Sequence, residues 1–565
     1  MTGPGPGGPC VIGVDLGTGG VKVALTTVRG EILGHEAEKT TTFLLPGGGA
    51  EQDPADWWRA VVTATRRLTA RGLVPARDIA AICVSTQWSG LVAVDRSGQH
   101  LRNALIWMDS RGEYYARALT GGGLSVPGVG YNARGLQEWL RKTGGAPTRT
   151  GKDPVGQAQW LRHHEPEVWN AAAYLLDVPE YLTMRLTGQA VAGWDTAVLR
   201  WCTDNRDPGA VRWDPSLARR CGFDLGRLPA LVRPASIVGP LRADVAAELG
   251  LPASVRVAAG TGDTTAAAIG AGAVQDYRGH LYIGTSAWLS CHVPFKRTDV
   301  LHNVASLPAV VPDRYWIATI QDVAGKAVDW LIENVVYARD GMLDAAPVPA
   351  NAGPDDTGPD DTGPGDAGPG DAGPGDAVPA DALDRLNALA RSAPPGSNGV
   401  IFAPWLNGER TPVDDPDVRG GWFNVSLTTT RADLARAVFE GIALNTRWMK
   451  ETVERFARRE LGGGFDDLVF IGGGANSALW CQTLADILGC TIRQAEQPVL
   501  ANARGAAMIA AISIGELTWD EVPKLVPIAA SYQPDPASRA RYDRQYRAFR
   551  ELYRGYSRTR KRLGS

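Results

Sequence analysis

Two aspartates stand at positions where a carboxylate could take part in phosphate chemistry. Asp15 ends the apolar run 11–16, and Asp263 follows the apolar run 255–259. A carboxylate at the end of a strand can hold Mg²⁺ directly or through water. Asp263 is predicted to begin a helix, whose dipole favours the charged form of the side chain. It could equally be an ordinary N-cap, so the residue alone leaves both readings open.

Three glycine-rich turns accompany these acids, at 17–20, 284–286 and 472–476. In such turns backbone N–H groups can point at a phosphate because no Cβ blocks the approach. The third turn follows a predicted strand and precedes a predicted helix, so a base or ribose could lie against its backbone. A tight hairpin would use the same residues, and each turn alone is ambiguous. Three turns in this order across the chain favour a nucleotide site.

Other phosphate-binding motifs are excluded. Lys22 occupies the third glycine position of a dinucleotide fingerprint, and the first turn leads into a strand instead of a helix. The Gly-Lys pairs at 151–152 and 325–326 are followed by Asp153 and Ala327, where a Walker A loop needs Ser or Thr. The sequence therefore predicts neither a Rossmann nor a P-loop protein.

Hydrophobic periodicity places the turns in two α/β halves. The first half opens with β-rich runs at 11–16, 21–28 and 31–38, followed by a helix with Asp53 as N-cap and Pro54 at N1. Further strands are predicted at 79–84 and 91–94, and the region 155–190 reads as helical. The run 280–286 opens a second half with the same strand, turn and strand order. Later strands are expected at 315–320, 400–402, 468–471 and 491–493, with helices at 323–333, 430–460, 478–489 and 503–515.

Composition bounds the class of protein. The 565 residues are 44% hydrophobic and 21% charged, which is ordinary globular usage and enough for two or more domains. The net charge of −3 gives no sign of nucleic acid or an acidic membrane as a partner. Seven scattered cysteines without a C-x-x-C indicate free thiols. With no apolar run near ~18 residues and no leader segment, a cytoplasmic protein is expected.

One segment stands apart from the globular sequence. Residues 353–377 are five pentapeptides, GPDDT twice and GPGDA three times, and 351–384 hold nine Asp with no Lys or Arg. Such a segment cannot bury enough apolar surface to order itself. We predict a disordered acidic surface insert at 351–384, and without it the rest of the chain is mildly basic.

With these residues in view, the sequence resembles the FGGY family of carbohydrate kinases, in the actin/Hsp70-like superfamily. The resemblance covers about 11–515 without the acidic insert. Its stretches are VIGVDLGTGGVKVAL (11–25), AEQDPADWW (50–58), STQWSG (85–90), ALIWMDSR (104–111), GTGDTTAAAIGAG (260–272), YIGTSAW (282–288), APWLNGERTP (403–412), RADLARAVFEGIA (431–443) and LVFIGGGANSALWCQTLADILG (468–489). Among the subfamilies the chain looks most like the xylulokinases.

The resemblance implies a fold and a division of the chain. The fold is α/β, with two actin/Hsp70-like (ribonuclease H-like) domains flanking a catalytic cleft. We expect a sugar-binding domain at 11–272 and a nucleotide-binding domain at 280–515 that carries the insert. Residues 1–10 and 535–565 are expected to be tails. A homodimer would be expected only by analogy with the family. Neither nucleic acid nor a membrane is expected as a partner.

The resemblance also implies an activity, the transfer of the γ-phosphoryl group of ATP, with Mg²⁺, to a sugar or polyol hydroxyl. Asp263 matches the general base, and Asp15 matches the aspartate beside Mg²⁺ and the phosphates. The residues that match the nucleotide-binding positions are Gly17, Thr18, Gly19, Gly284, Thr285, Ser286, Gly325, Gly473, Gly474, Ala475 and Asn476.

The residues that match the sugar-binding positions are Gln87, Trp88, Ser89, Trp107, Asp109 and Arg111. Trp107 could instead be a core tryptophan. Xylulokinases typically read Q-M-H-G where this chain reads Gln87-Trp88-Ser89-Gly90, so the pocket differs in shape and in hydrogen-bond donors. A ketopentose such as D-xylulose is the expected substrate.

Three alternatives stay open. The chain could be a kinase of another polyol, such as ribulose, erythritol, glycerol or gluconate. It could be a catalytically inactive actin-like nucleotide-binding regulator, although retention of Asp15, Thr18 and Asp263 together argues against this. A glycan-binding module would not need the phosphate turns and is the weakest of the three.

Overall fold

The computed structural model describes residues 8–126, 130–337, 379, 381–457 and 464–563. The repetitive part of the acidic insert lies outside the described residues. The chain forms two α/β halves, each built on a central sheet. In the part of the chain that the structure describes, no helix combines the length and the apolar character needed to cross a membrane.

The first half contains a seven-stranded sheet. Its strands run in the order Ile237–Pro240, Arg256–Ala258, Ile79–Thr86, Cys10–Gly17, Gly20–Thr27 and Ile32–Lys39, with Thr261–Gly262 also paired to Ile79–Thr86. The other strands of this half are Phe43–Leu45, Gly49–Gln52, Val92–Val94, Ala104–Leu105, Tyr174–Leu176, Val191–Gly193, Thr203–Asp204, Arg212–Trp213 and Ala230–Val232. Its α-helices are Pro54–Ala70, Glu113–Thr120, Ala133–Lys142, Pro154–His164, Pro166–Ala171, Val178–Thr187, Trp194–Ala197, Pro215–Cys221, Ala243–Leu249 and Asp263–Gly270.

The second half contains a five-stranded sheet in the order Ala287–Ser290, Gly279–Ile283, Asp467–Ile471, Thr491–Ala495 and Ile528–Tyr532. A separate four-stranded sheet has the order His292–Val293, Tyr315–Ala318, Val304–Pro308 and Thr298–Asp299, and a two-stranded one joins Ile401–Ala403 to Gly421–Phe423. The α-helices are Gly325–Leu331, Ala382–Ser392, Arg431–Phe456, Ala478–Leu488, Ala501–Ser513, Val522–Leu525 and Pro536–Leu563.

The two central sheets repeat one pairing scheme. Cys10–Gly17 pairs antiparallel with the next strand, Gly20–Thr27, and parallel with Ile79–Thr86. Gly279–Ile283 likewise pairs antiparallel with Ala287–Ser290 and parallel with Asp467–Ile471. Because a hairpin turn follows the first strand in both sheets, each half presents a glycine-containing turn at the same edge. The predicted similarity of the two halves is confirmed.

Local signals account for most of the elements that the sequence predicts. Asp53 accepts a hydrogen bond from the backbone N–H of Ala55, with Pro54 at N1, as expected for the helix Pro54–Ala70. The first three strands and the strand–turn–strand that opens the second half are also confirmed. The region 155–190 is mostly helical, but the strand Tyr174–Leu176 interrupts it.

Two predicted boundaries are wrong. The helix Ala382–Ser392 begins inside the predicted acidic insert, because Leu386 and Ala390 give it a buried apolar face. The predicted C-terminal tail contains the helix Pro536–Leu563. Its Tyr542 and Phe549 side chains are fully buried, so this segment is part of the core of the second half.

The helix Ala501–Ser513 joins the two halves. A Cβ on Gly505 would lie 1.9 Å from the backbone oxygen of Ala266, and one on Gly270 would lie 1.8 Å from that of Ala501. The same helix packs on the first sheet, since a Cβ on Gly13 would lie 1.9 Å from the backbone oxygen of Ala503. Glycines therefore let this helix approach both Asp263–Gly270 and the first strand at backbone contact.

Candidate active site

Asp263 is the first residue of the helix Asp263–Gly270, as predicted. The strand before it pairs in parallel with Ile79–Thr86, with Gly262 opposite Thr86, so Asp263 lies beside the segment that begins at Gln87. Its Oδ1 accepts a hydrogen bond of 2.8 Å from the backbone N–H of Thr264. The residue remains partly exposed, so a bound molecule could reach its carboxyl group.

Asp15 lies almost fully buried near the end of the first strand. Its Oδ2 is 3.4 Å from the ammonium of Lys22, the residue opposite it in the hairpin. Its Oδ1 accepts from the amide of Asn502, also at 3.4 Å. Because Asn502 belongs to the joining helix, the position of Asp15 depends on both halves.

The two acids share one electrostatic environment. Burial, and then the charge of Asp15, raise the pKa of Asp263 to about 7. The pKa of the Tyr282 phenol is also raised, first by burial and then by the charges of Asp15 and Asp263. A hydroxyl from the second half thus lies within the field of both acids. A carboxyl group that titrates near neutral pH suits a general base.

The glycine-rich turns of the second half lie against one another. The backbone N–H of Gly325 donates to the backbone oxygen of Gly284 at 2.8 Å, and a Cβ on Gly325 would lie 2.3 Å from that oxygen. A Cβ on Gly472 would lie 2.5 Å from the backbone oxygen of Ile283. The predicted residues Gly284, Gly325 and Gly474 therefore come together, and Gly474 packs against Ile283.

Open space adjoins the other predicted nucleotide-binding glycines. A Cβ on Gly19 or on Gly473 would meet no atom within 4 Å, and one on Gly17 would meet only an oxygen at 3.8 Å. In the second turn Thr285 is exposed and Ser286 partly exposed, and in the third Ala475 is buried and Asn476 exposed. Backbone flanked by open space can be approached closely by a phosphate or a ribose.

Thr18 takes part in a hydrogen-bond network on the sugar side. Its hydroxyl donates to Gln87 Oε1 and accepts from Trp107 Nε1, both at 3.0 Å. Gln87 Nε2 donates to Gln52 Oε1 at 2.6 Å, and Gln52 Nε2 donates to the backbone oxygen of Thr18 at 2.7 Å. The sequence assigned Thr18 to the phosphates, whereas its side chain here orients the predicted sugar-binding residues Gln87 and Trp107.

Trp88 and Ser89 form the wall next to Asp263. A Cβ on Gly262 would lie 2.9 Å from the Trp88 indole, so the ring packs on the residue before the acid. Trp88 also contacts Trp316 of the second half, with ring centroids 5.7 Å apart. The Ser89 hydroxyl donates to the backbone oxygen of Lys152 at 3.2 Å. A bulky ring therefore fills space where the expected pattern has a flexible methionine.

Asp109 and Arg111 are paired with protein groups. Asp109 is fully buried, and its Oδ2 accepts from Arg111 Nη2 at 2.6 Å and from the backbone N–H of Ala50 at 2.9 Å. Arg111 also pairs with Glu51 at 2.6 Å and stacks 3.9 Å from the centroid of Trp160. Through these contacts Asp109 and Arg111 support the segment that carries Trp107.

Several residues near the cleft were not singled out from the sequence. Arg410 lies over the Trp107 ring, 5.8 Å from its centroid, and bonds to Asp322 at 2.5 Å. Arg410 belongs to the APWLNGERTP stretch, which could have drawn attention to it. Lys22 and Tyr282 likewise belong to the stretches 11–25 and 282–288, whereas Asn502 lies outside every such stretch and only the fold brings it to Asp15.

The residues present fit a magnesium ion held mainly by phosphates and water. Within the described ranges, no group of three or more His, Cys, Asp or Glu side chains could hold a metal ion. Mg²⁺ in phosphoryl-transfer sites commonly takes one or two carboxylates together with substrate oxygens. The buried Asp15 offers one carboxylate next to the first glycine-rich turn, which fits that donor set.

Comparison with known proteins places this geometry in context. Residues 10–270 match the model of the N-terminal domain of the FGGY family of carbohydrate kinases, and residues 281–514 match its C-terminal domain. A xylulose kinase from Staphylococcus epidermidis is 27% identical over 548 residues, which cover 96% of each chain. Two crystal structures from Lactobacillus acidophilus, of a gluconate kinase and of a ligand-bound xylulose kinase, each align with a TM-score of 0.77 at 21% identity. Each alignment covers 97% of this chain and 98% of the other, which shows a shared fold.

Proposed function

The chain belongs to the FGGY family of carbohydrate kinases, and we propose that this sugar kinase transfers the γ-phosphoryl group of ATP to a hydroxyl of a ketopentose such as D-xylulose. The observation that carries the proposal is the position of Asp263. This partly exposed acid, with a pKa of about 7 raised by burial and by the charge of Asp15, follows Gly262, which lies opposite Thr86 just before Gln87.

In the proposed reaction, Asp263 is the general base. A sugar hydroxyl is a weak nucleophile at neutral pH, so its proton passes to the Asp263 carboxylate as the new O–P bond forms. The bond from the γ-phosphorus to the leaving oxygen breaks in the same transfer, which yields ADP and the sugar phosphate. The cleft contributes mainly by positioning the two substrates and excluding water as the halves close.

Asp15 is the proposed magnesium ligand. Bound Mg²⁺ would offset charge on the phosphate oxygens during transfer. Lys22 and Asn502 contact the two oxygens of Asp15 at 3.4 Å and fix the direction of its carboxylate. We assign Gly17, Gly19, Gly284, Thr285, Ser286, Gly325, Gly473, Gly474, Ala475 and Asn476 to the nucleotide.

The proposed acceptor pocket consists of Gln87, Trp88, Ser89 and Trp107, with Asp109 and Arg111 as supports. D-Xylulose is favoured because the curated relative of matching length is named a xylulose kinase. Trp88 packed on Gly262 favours the second candidate, a kinase of another polyol, since the ring changes the space beside the base. The structural neighbour named a gluconate kinase makes gluconate one member of that class.

A panel of acceptors tests the proposal. Release of ADP is measured with D-xylulose, D-ribulose, erythritol, glycerol and gluconate, and the phosphorylated product is identified by mass. We expect the highest kcat/KM with D-xylulose. A higher value for another acceptor would establish the second candidate. Nucleotide binding without a phosphorylated product from any of them would contradict the kinase assignment of this site and favour a regulator.

A further inference from the structure

Charged residues of both halves contact two members of the pocket assigned above, Trp107 and Ser89. From the second half, Arg410 lies over the Trp107 ring and bonds through Nε to Oδ1 of Asp322 at 2.5 Å. From the first half, the backbone oxygen of Lys152 accepts a hydrogen bond from the Ser89 hydroxyl. The Lys152 ammonium lies within the field of the Asp322 and Arg410 charges.

The Asp322–Arg410 pair is held in a fixed position by Glu409. This buried carboxylate accepts through Oε1 from the backbone N–H groups of both Asp322 and Arg410, each at 3.0 Å. Its Oε2 accepts from the amide of Asn445, on the helix Arg431–Phe456, at 2.7 Å. Two loops that are distant in sequence are thereby tied to one helix, and Arg410 reaches the Trp107 ring of the first half.

Lys152 is held from the first half in a similar way. Its neighbour Gly151 has a φ of +74°, and a Cβ there would lie 2.2 Å from the backbone nitrogen of Glu113. The loop therefore packs at backbone contact on the segment before the helix Glu113–Thr120. Burial lowers the pKa of Lys152. Across the described ranges, no hydrogen bond or ion pair reaches its Nζ.

These groups have unused hydrogen-bonding capacity. The Lys152 side chain remains partly exposed, so its ammonium can donate to a ligand oxygen in place of water. Arg410 has five N–H donors, of which the pair with Asp322 uses only some, and Asp322 bonds to it through one oxygen. Arg410 over the Trp107 ring and Asp322 bonded to it offer donors and an acceptor that match the hydroxyl groups of a polyol.

We propose that Lys152, Asp322 and Arg410 form a second acceptor subsite, assembled from both halves, that binds hydroxyls at the non-reacting end of the substrate. This inference rests on the proposed function and extends it to the substrate class. The acceptor must carry hydroxyls beyond the one that is phosphorylated. Because the subsite is completed by residues of both halves, binding of such an acceptor would favour the closed arrangement.

The substitution Lys152→Met tests the subsite. Its matched control is Lys524→Met, because Lys524 is an exposed lysine of the helix Val522–Leu525. We expect the KM of the preferred acceptor to rise about tenfold or more, because a charged hydrogen bond is lost. The KM for ATP and the thermal midpoint should stay near the wild-type values, as both should in the control. Lys152→Arg, which keeps donors at this position, should recover part of the affinity.

A deoxy analogue of the acceptor, which lacks one hydroxyl at the non-reacting end, provides a second test of the subsite. If Lys152 binds a hydroxyl at the non-reacting end, removing that hydroxyl should raise the acceptor KM of the wild type by a much larger factor than that of Lys152→Met. An unchanged acceptor KM in Lys152→Met would overturn the subsite. So would an equal rise in KM for the wild type and Lys152→Met when the deoxy analogue replaces the acceptor. A rise in the KM for ATP instead would assign Lys152 to the phosphates and also overturn it. A wild type without acceptor-dependent ADP release would refute the proposed function itself, a distinct outcome.

Discussion

At the scale of single residues, the central feature is the proposed separation of roles between two neighbouring acids. Asp15 contacts Lys22 and Asn502, so cationic and amide donors face its charge. Asp263 accepts from one backbone N–H and bears the raised pKa. A carboxyl group that titrates near neutral pH is suited to accept a proton from a hydroxyl.

This difference predicts a pH dependence. Asp263 must be ionised to accept a proton, so kcat/KM should fall as the pH decreases through about 7, the pKa of this carboxyl. Asp15→Asn removes the neighbouring negative charge, and the acidic limb of its residual activity should move to lower pH. The measurement is the pH profile of kcat/KM at saturating ATP. A wild-type limb at the ordinary pKa of aspartate, about 4, would contradict the assignment.

The two acids and the glycine turns could be predicted from the sequence because carboxylates and glycines suggest a chemical use without knowledge of the fold. The Lys152, Asp322 and Arg410 cluster could not be predicted, because only the tertiary fold brings these residues together. Thr18 shows a different limit. Its place in the first turn was predicted, whereas its hydroxyl points toward Gln87 and Trp107, a direction set by side-chain rotamers.

At the scale of elements, the site depends on the contact between the helices Asp263–Gly270 and Ala501–Ser513. Gly270 and Gly505 allow their backbones to approach, as a Cβ on either would overlap a backbone oxygen of the other helix. One helix begins at the proposed base, and the other brings Asn502 to Asp15. Packing of the two helices therefore sets the relation between the two acids.

Gly505→Ala tests this dependence. The new methyl group would lie 1.9 Å from the backbone oxygen of Ala266, so the helices must separate. We expect a loss of about 1–3 kcal/mol in the free energy of unfolding and a lower kcat. Urea unfolding and steady-state kinetics measure the two effects. Gly555→Ala, where a Cβ meets nothing within 4 Å, is the control and should be neutral or slightly stabilising. Equal behaviour of the two variants would contradict the packing argument.

Prediction of the elements succeeded where a local signal was strong and failed where it was weak. The cap Asp53 with Pro54 at N1 located the start of one helix. Two-residue strands such as Thr298–Asp299 carry too few residues for an alternating pattern to be recognised. The helix Pro536–Leu563 was missed because it is rich in arginine and poor in aliphatic residues, although Tyr542, Tyr546 and Phe549 give it a buried stripe at helical spacing.

At the scale of the whole molecule, two similar halves are joined by one helix and meet around the proposed cleft. The four-stranded sheet of the second half also bonds to the first, since the Tyr315 hydroxyl donates to the backbone oxygen of Asn205 at 2.9 Å. The C-terminal helix completes the second core, where the Tyr542 hydroxyl donates to Glu440 at 2.8 Å. Residues far from the cleft thus keep the second half folded.

Phe549→Ala tests the contribution of the C-terminal helix. The ring is fully buried, and its removal should lower the free energy of unfolding by about 3–5 kcal/mol. Urea denaturation provides the measurement, with Glu551→Ala, an exposed residue two positions on, as the matched control. Stability equal to that of the wild type would show that this segment behaves as the tail that the sequence suggested.

The proposed function depends most directly on Asp263, and Asp263→Asn tests it most directly. The amide keeps the shape of the side chain but cannot accept the proton, so acceptor-dependent ADP formation should fall by about 10²–10⁴-fold. Titration with ADP should give the wild-type affinity, since the glycine turns are unaltered. Turnover close to that of the wild type, with ADP affinity retained, would contradict the assignment of Asp263 as the base.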